Sequence, residues 1–150
     1  MNITVTTQII PTFTAIAAVC QNDPNPVLPT SSNDLPAIVG VWAPAVSTAT
    51  AGTTTYTFTP NAGQCATTTT LNITVNAPTV PIFAAIAAVC QNDPNPILPT
   101  SSNDLPAITG TWAPAVSTAT AGTTTYTFTP NAGQCATTTT LNITVRSEEH

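Results

Sequence analysis

Basic side chains are almost absent from this chain of 150 residues, which has one Lys or Arg and one His. Both fall in the C-terminal segment 146–150, which also holds the only two Glu, so residues 1–145 contain no Lys, Arg, His or Glu. Because phosphate binding depends on basic side chains, we expect no nucleic-acid binding. Because the usual general bases and nucleophile activators are missing, we expect no enzymatic activity.

Long apolar runs are missing as well. No run of about 18 or more apolar residues occurs, so we expect no membrane insertion. Helix signals are weak, since 34 Thr and 15 Pro favour strands and turns. No signal peptide opens the sequence, and a secreted parent protein would carry one ahead of this segment.

What the sequence does contain is an internal repeat. The segment Phe13–Cys20 returns as Phe83–Cys90, 70 residues later, and the two copies differ at only ten positions. The segment after residue 145 breaks the repeat and has the character of an expression-vector remnant. The predicted division is a leftover strand at 1–5, domains at 6–75 and 76–145, and a tail at 146–150.

The leftover strand consists of Asn2, Ile3, Thr4 and Val5. These residues match Asn72–Val75, the end of the first copy, and predict the last strand of a preceding copy. The chain is therefore expected to be part of a longer array. Because an unpaired strand can complete a sheet in another chain, a self-assembling filament built by strand complementation is a second hypothesis.

Alternating side chains predict an antiparallel hairpin in each copy. Tyr56 and Phe58 alternate with Thr, a turn follows at Pro60–Gly63, and a returning strand is expected over Cys65–Val75. About seven short strands per copy and a Cys…Trp…Cys order predict two tandem Ig-like (Greek-key) β-sandwich domains. The predicted core aromatics are Trp42, Tyr56 and Phe58, and in the second copy Trp112, Tyr126 and Phe128.

Four cysteines allow three disulfide pairings. Pairing Cys20 with Cys65 and Cys90 with Cys135 gives each domain its own disulfide and is favoured because every copy is then independent. Closing such a loop of about 45 residues would stabilise a domain by roughly 4 kcal/mol. The rival pairing, Cys65 with Cys90, would join neighbouring domains. Either pairing indicates an oxidising, extracellular compartment.

The only carboxylates of the repeats lie in Asn/Asp/Pro loops. They are Asp23, Asp34, Asp93 and Asp104. Calcium is one reading, since oxygen-rich loops bind it in extracellular modules. Asx turns are favoured instead, because Asp-Pro and Asn-Pro steps start turns without a metal. No other cofactor is expected.

Two further surface readings concern polar strand faces. Asn2, Asn72 and Asn142 each begin an Asn-Ile-Thr glycosylation triplet, although such triplets occur often by chance in a Thr-rich chain. Rows of Thr such as Thr55, Thr57 and Thr59 could match ordered water, as in an ice-binding face. The favoured explanation is that Thr suits a solvated strand.

The strings Gly-Val-Trp-Ala-Pro and Thr-Tyr-Thr-Phe-Thr-Pro-Asn-Ala-Gly-Gln-Cys resemble the tandem Ig-like repeats of large surface proteins of Bacteroidota, including flavobacteria. The resemblance extends over about 11–145. It implies secreted, cell-surface adhesin-like or filament-forming proteins and carries no catalytic residues. The expected function is a structural stalk or spacer repeat, with neighbouring repeats or identical chains as partners and an unknown ligand.

Overall fold

The computed structural model describes residues 1–147. Every regular element in that range is a β-strand, which confirms the predicted all-β class. The strands are β1 (Val19–Cys20), β2 (Gly40–Ala43), β3 (Gly52–Pro60), β4 (Thr69–Asn76), β5 (Val89–Cys90), β6 (Gly110–Ala113), β7 (Gly122–Pro130) and β8 (Thr139–Arg146). The chain divides into two compact units, Met1–Ala77 and a second that begins at Pro78.

Each unit contains one four-stranded sheet. The strand order is β1-β4-β3-β2 in unit 1 and β5-β8-β7-β6 in unit 2. In unit 1, β3 pairs antiparallel with both β2 and β4, whereas β1 pairs parallel with β4. The long strands β3 and β4 therefore form the centre of the sheet, and the short strands β1 and β2 form its edges.

The central hairpin follows from the alternation of apolar and Thr side chains. Tyr56, Phe58, Ile73 and Val75 are at most 5% exposed and form the core of unit 1 with Ile38. The returning strand begins at Thr69 rather than at the predicted Cys65. Cys65 has a φ of 48°, a left-handed conformation that interrupts strand geometry, so the connection between the two strands is longer than predicted.

The structure has four strands per unit where about seven were predicted. Apart from β1, the proline-rich chain before Ile38 makes only isolated bridges, Ile9 with Ala66 and Ser31 with Val39. Proline lacks the N–H that a strand ladder needs, so these segments cannot extend into full strands. These segments, residues 9–18 and 21–37, form an irregular layer that packs on the sheet through Phe13. The Ig-like Greek-key assignment stays a prediction.

Three aromatic rings join this irregular layer to the sheet. The Phe13 ring lies 4.8 Å from that of Trp42 and 4.7 Å from that of Phe58, both edge to face. Phe58 is fully buried, but Trp42 is only half-buried. Trp42, and Trp112 likewise, is thus less buried than the other predicted core aromatics, because it lies on an edge strand and its Nε1–H donates to the Pro29 carbonyl at 2.8 Å.

Buried polar side chains fasten the loops. Ser32 Oγ accepts a hydrogen bond from the Ile38 backbone N–H at 3.0 Å, and Thr48 binds the loop that follows β1. In the part of the chain that the structure describes, no buried side-chain polar atom lacks a hydrogen-bond partner. These bonds hold the irregular layer in one conformation without a strand ladder.

The predicted tail begins inside a strand. Arg146 is the last residue of β8, opposite Cys90, where the first copy has Asn76. Residues 148–150 of the predicted tail lie outside the described residues. Among residues 1–147 there is no helix with the length and apolar character needed to span a membrane.

Candidate functional site

The cysteines mark the two ends of each sheet. At one end of unit 1, which we call the leading end, the Ile9 N–H donates to the Cys65 carbonyl at 2.9 Å. At the other, trailing end, Cys20 pairs with Asn76, the last residue of β4. A strand rises about 3.3 Å per residue, so the stretch from Ala66 to Asn76 places these ends roughly 30 Å apart.

Unit 2 repeats this arrangement. At its leading end the Thr79 N–H donates to the Cys135 carbonyl at 2.8 Å. At its trailing end Cys90 pairs with Arg146. Each unit therefore has its second cysteine at the leading end and its first cysteine at the trailing end.

The oxidation states do not follow the favoured pairing. Cys20 and Cys135 are disulfide-bonded, whereas Cys65 and Cys90 are free thiols with exposed side chains. The predicted intradomain disulfides, and the rival bond between Cys65 and Cys90, are both wrong for this structure. The reason is distance: Cys20 and Cys65 lie at opposite ends of one sheet, whereas a disulfide needs Cα atoms within about 7 Å.

The predicted loop carboxylate Asp23 shapes the turn that follows Cys20. Its Oδ2 accepts from the Cys20 N–H at 3.1 Å, and its own N–H donates to the Cys20 carbonyl at 3.1 Å. Asn22, inside this turn, has a φ of 67°, a conformation that Asn tolerates better than most residues. Asp93 holds Cys90 in the same way, with its Oδ2 3.0 Å from the Cys90 nitrogen.

Asp34 joins two parts of the irregular layer, the segment around Thr12 and the segment around Ser32. Its carboxylate accepts from the Thr12 N–H and from the Thr12 hydroxyl, both at 2.9 Å. Hydrogen bonds from the Ser32 side chain and then from Thr12 hold the pKa of Asp34 below its usual value. Asp104 also has a lowered pKa, from the Ser102 side chain and the Ile82 N–H.

The four aspartates are thus occupied by hydrogen bonds in two separate places per unit. Asp23 serves the turn after β1, and Asp34 serves the segment around Thr12. Within residues 1–147, no group of three or more His, Cys, Asp or Glu side chains could hold a metal ion. Calcium binding stays a prediction. The Asp23 and Asp34 carboxylates accept from residues that precede them in the chain, so these bonds are not those of an Asx turn, in which the side chain accepts from the N–H two residues later.

The Thr-rich face forms a ladder of side-chain hydrogen bonds across the central hairpin. Thr53 Oγ1 lies 2.9 Å from Thr74 Oγ1, and the Thr55 hydroxyl donates to Asn72 Oδ1 at 2.8 Å. Thr57 stands opposite Thr70 in the same register. The predicted rows of Thr do meet at Thr57, and in each unit one pair of Thr hydroxyls, Thr53 with Thr74 in unit 1, is hydrogen-bonded across the strands.

Sequence reasoning missed two side chains that fix the loops, Gln64 and Thr48. Gln64 Nε2 donates to the Val39 carbonyl at 2.6 Å, while its Oε1 accepts from the Val39 N–H at 2.7 Å, so its amide takes the place of a strand neighbour. Thr48 was missed in the same way. Only the retention of both in the second copy, as Gln134 and Thr118, could have drawn attention to them.

A scan against protein-family models and a search of curated proteins find no match to this chain.

Proposed function

We propose that each unit is a structural spacer repeat in the stalk of an extracellular bacterial surface adhesin or fibre, without catalytic activity. One observation carries this proposal: each sheet receives the chain at its leading end and releases it at its trailing end. In unit 1 the chain pairs first through Ile9 with Ala66 and leaves after Asn76. A unit with this path adds its own length to a series of copies.

The connection between the copies is short. β4 ends at Asn76, and Thr79 already pairs with Ala136 in unit 2, so only Ala77 and Pro78 lie between. Proline restricts the backbone and favours an extended chain, unlike a flexible Gly/Ser tether. A short, stiff connection supports a spacer role.

Composition and redox chemistry support an extracellular location. Disulfides persist in oxidising compartments, and Cys20 and Cys135 are disulfide-bonded. A formal net charge of −5 with a single Lys or Arg discourages binding to anionic surfaces, as suits a spacer that holds other domains away from a cell.

Small-angle X-ray scattering on single chains of two, four and six copies tests this proposal. We expect the maximum dimension to increase by an equal step, about 30 Å, for each added copy. Replacing both Ala77 and Pro78 by Gly at every connection is the matched control and should shorten the step, because the connection becomes flexible. A maximum dimension that levels off with copy number would refute the spacer role.

Strand complementation between chains stays a prediction that no observation favours. Residues 1–8 form no strand, and Ile3 and Val5 are exposed by 83% and 89%. In each unit the equivalent segment, inside β4 or β8, already lies between two neighbouring strands. Size-exclusion chromatography with and without residues 1–5 tests the idea, and a monomer in both cases would exclude it. The ice-binding reading is likewise not favoured.

A further inference from the structure

Two free thiols lie at the ends of their respective sheets, one at a leading end and one at a trailing end. The Cys65 thiol lies at the leading end of unit 1, and the Cys90 thiol lies at the trailing end of unit 2. Both side chains are exposed, and neither is bonded. An exposed thiol in an oxidising compartment is open to thiol–disulfide exchange.

The repeat shows which kind of partner each thiol would take. Cys90 is the counterpart of Cys20, and Cys65 is the counterpart of Cys135, each at an offset of 70 residues. Both counterparts are disulfide-bonded. The oxidised cysteines are therefore the first cysteine of one copy and the second cysteine of the other, and so are the two free thiols.

The local structure around each free thiol matches that of its oxidised counterpart. The Cys90 N–H donates to Asp93 Oδ2 at 3.0 Å, and the Cys20 N–H donates to Asp23 Oδ2 at 3.1 Å. Cys65 and Cys135 have φ values of 48° and 46°. These backbone conformations already support a half-cystine at Cys20 and Cys135, so the same conformations at Cys90 and Cys65 are compatible with one.

We propose that Cys90 of one chain forms a disulfide with Cys65 of a second copy of this chain. The bond joins a trailing end to a leading end, so chains link head to tail into a covalent fibre. This inference rests on the proposed spacer function and adds to it a covalent bond between successive copies.

The oxidant is a low-molecular-weight disulfide such as oxidised glutathione. The thiolate of Cys90 attacks one glutathione sulfur, forms a mixed disulfide and releases one glutathione thiolate. The thiolate of Cys65 from the second chain then attacks the Cys90 sulfur and releases the other glutathione. The two protein thiols lose two protons and two electrons in total, and oxidised glutathione becomes two molecules of glutathione.

Non-reducing gel electrophoresis of the full chain treated with oxidised glutathione tests the proposal. We expect the wild type to give a ladder at multiples of 15.3 kDa that collapses to monomer with dithiothreitol. Cys65→Ser and Cys90→Ser are matched single variants, each with one thiol left. Each alone should stay monomeric, and an equal mixture should stop at the dimer, whose isotope-labelled peptides map to Cys90 joined with Cys65.

Three outcomes would overturn this inference. One is a monomer without free thiols, which would mean that Cys65 and Cys90 pair within one chain. Another is a dimer from either single variant in the same yield as from the mixture. The third is a stable mixed disulfide with glutathione and no ladder. The scattering test of the spacer function uses copies joined by peptide bonds. When the chain carries both Cys65→Ser and Cys90→Ser, the result of that test does not depend on the disulfide proposed between Cys90 and Cys65.

Discussion

The hydroxyl of Thr48 offers a sharp test of how the loops are held. Thr48 is only 5% exposed. Its hydroxyl donates to the Asp23 carbonyl and lies 3.2 Å from Asn25 Oδ1, which also accepts from the Thr48 N–H at 3.0 Å. Thr48→Val keeps the shape and both backbone groups of the residue but leaves the Asp23 carbonyl without its donor.

The expected cost follows from the loss of a part-buried hydrogen bond. A hydrogen bond contributes about 0.5–1.5 kcal/mol net, so we expect a loss of about 1.5 kcal/mol per unit. For a domain of this size, that loss lowers Tm by about 10 °C. Thr48→Val combined with Thr118→Val changes both units alike, since Thr118 makes the same bonds to Asp93 and Asn95.

The assay is thermal unfolding followed by circular dichroism in a non-reducing buffer, so that the disulfide-bonded cysteines stay oxidised. The control is Thr48→Ser with Thr118→Ser, which keeps the donor, removes one methyl group and should cost about 0.8 kcal/mol per unit. A valine variant that melts within about 2 °C of the wild type, far less than the shift expected from the loss of this hydrogen bond, would refute the reasoning. So would a serine variant that loses as much as the valine variant.

Two further predictions concern packing and pH. In Gly40→Ala the new Cβ would lie 2.6 Å from Phe58 Cζ and would also collide with the Thr59 carbonyl. Urea unfolding should therefore show a loss of at least about 1–3 kcal/mol, against at most about 0.5 kcal/mol for the exposed control Val41→Ala, and equal losses would contradict this. Because the pKa of folded Asp34 is below the ordinary 3.8, the stability from its hydrogen bonds is full above that pH and is lost as the pH falls through the folded pKa. Asp34→Asn with Asp104→Asn should flatten the decline of the urea midpoint at acid pH, and a decline as steep as in the wild type would count against it.

The central hairpin could be predicted from the sequence because its information is local. Tyr56 and Phe58 alternate with Thr, and Ile73 and Val75 do the same on the returning strand, so period-two patterning identifies both the strands and the buried face. The returning strand begins a few residues later than predicted, at Thr69 and not at Cys65. Nothing in the sequence indicates the left-handed conformation of Cys65, because cysteine seldom adopts it.

The edges of the sheet could not be predicted in the same way. β1 has only two residues and pairs in parallel with β4, more than 50 residues later in the chain, so no local pattern reveals it. Trp42 has a large apolar side chain of the kind expected in a core, but its exposure depends on its strand lying at the sheet edge. Such features follow from pairing between distant segments, which a single sequence does not show.

The cysteine pairing failed for a related reason. The intradomain bond was favoured because it makes every copy independent, but the permitted bonds depend on which end of the sheet each cysteine reaches. Once Cys20 is placed beside Asn76 and Cys65 beside Ile9, the intradomain bond is excluded by distance. The number of cysteines can be read from the sequence, but the end of the sheet that each cysteine reaches cannot.

The parallel pairing of the N-terminal segment with β4 also determines how a unit responds to tension. When a unit is pulled by its two ends, Ile9 is drawn toward the leading end and Asn76 toward the trailing end. The backbone hydrogen bonds at Ile9–Ala66 and Val19–Val75 then lie across the direction of pull and are loaded together, in shear. Bonds loaded in this way must break together, whereas a hairpin pulled from its open end loses them one at a time. The topology of each unit is therefore that of a mechanical clamp, suited to a protein that bears force along its own length.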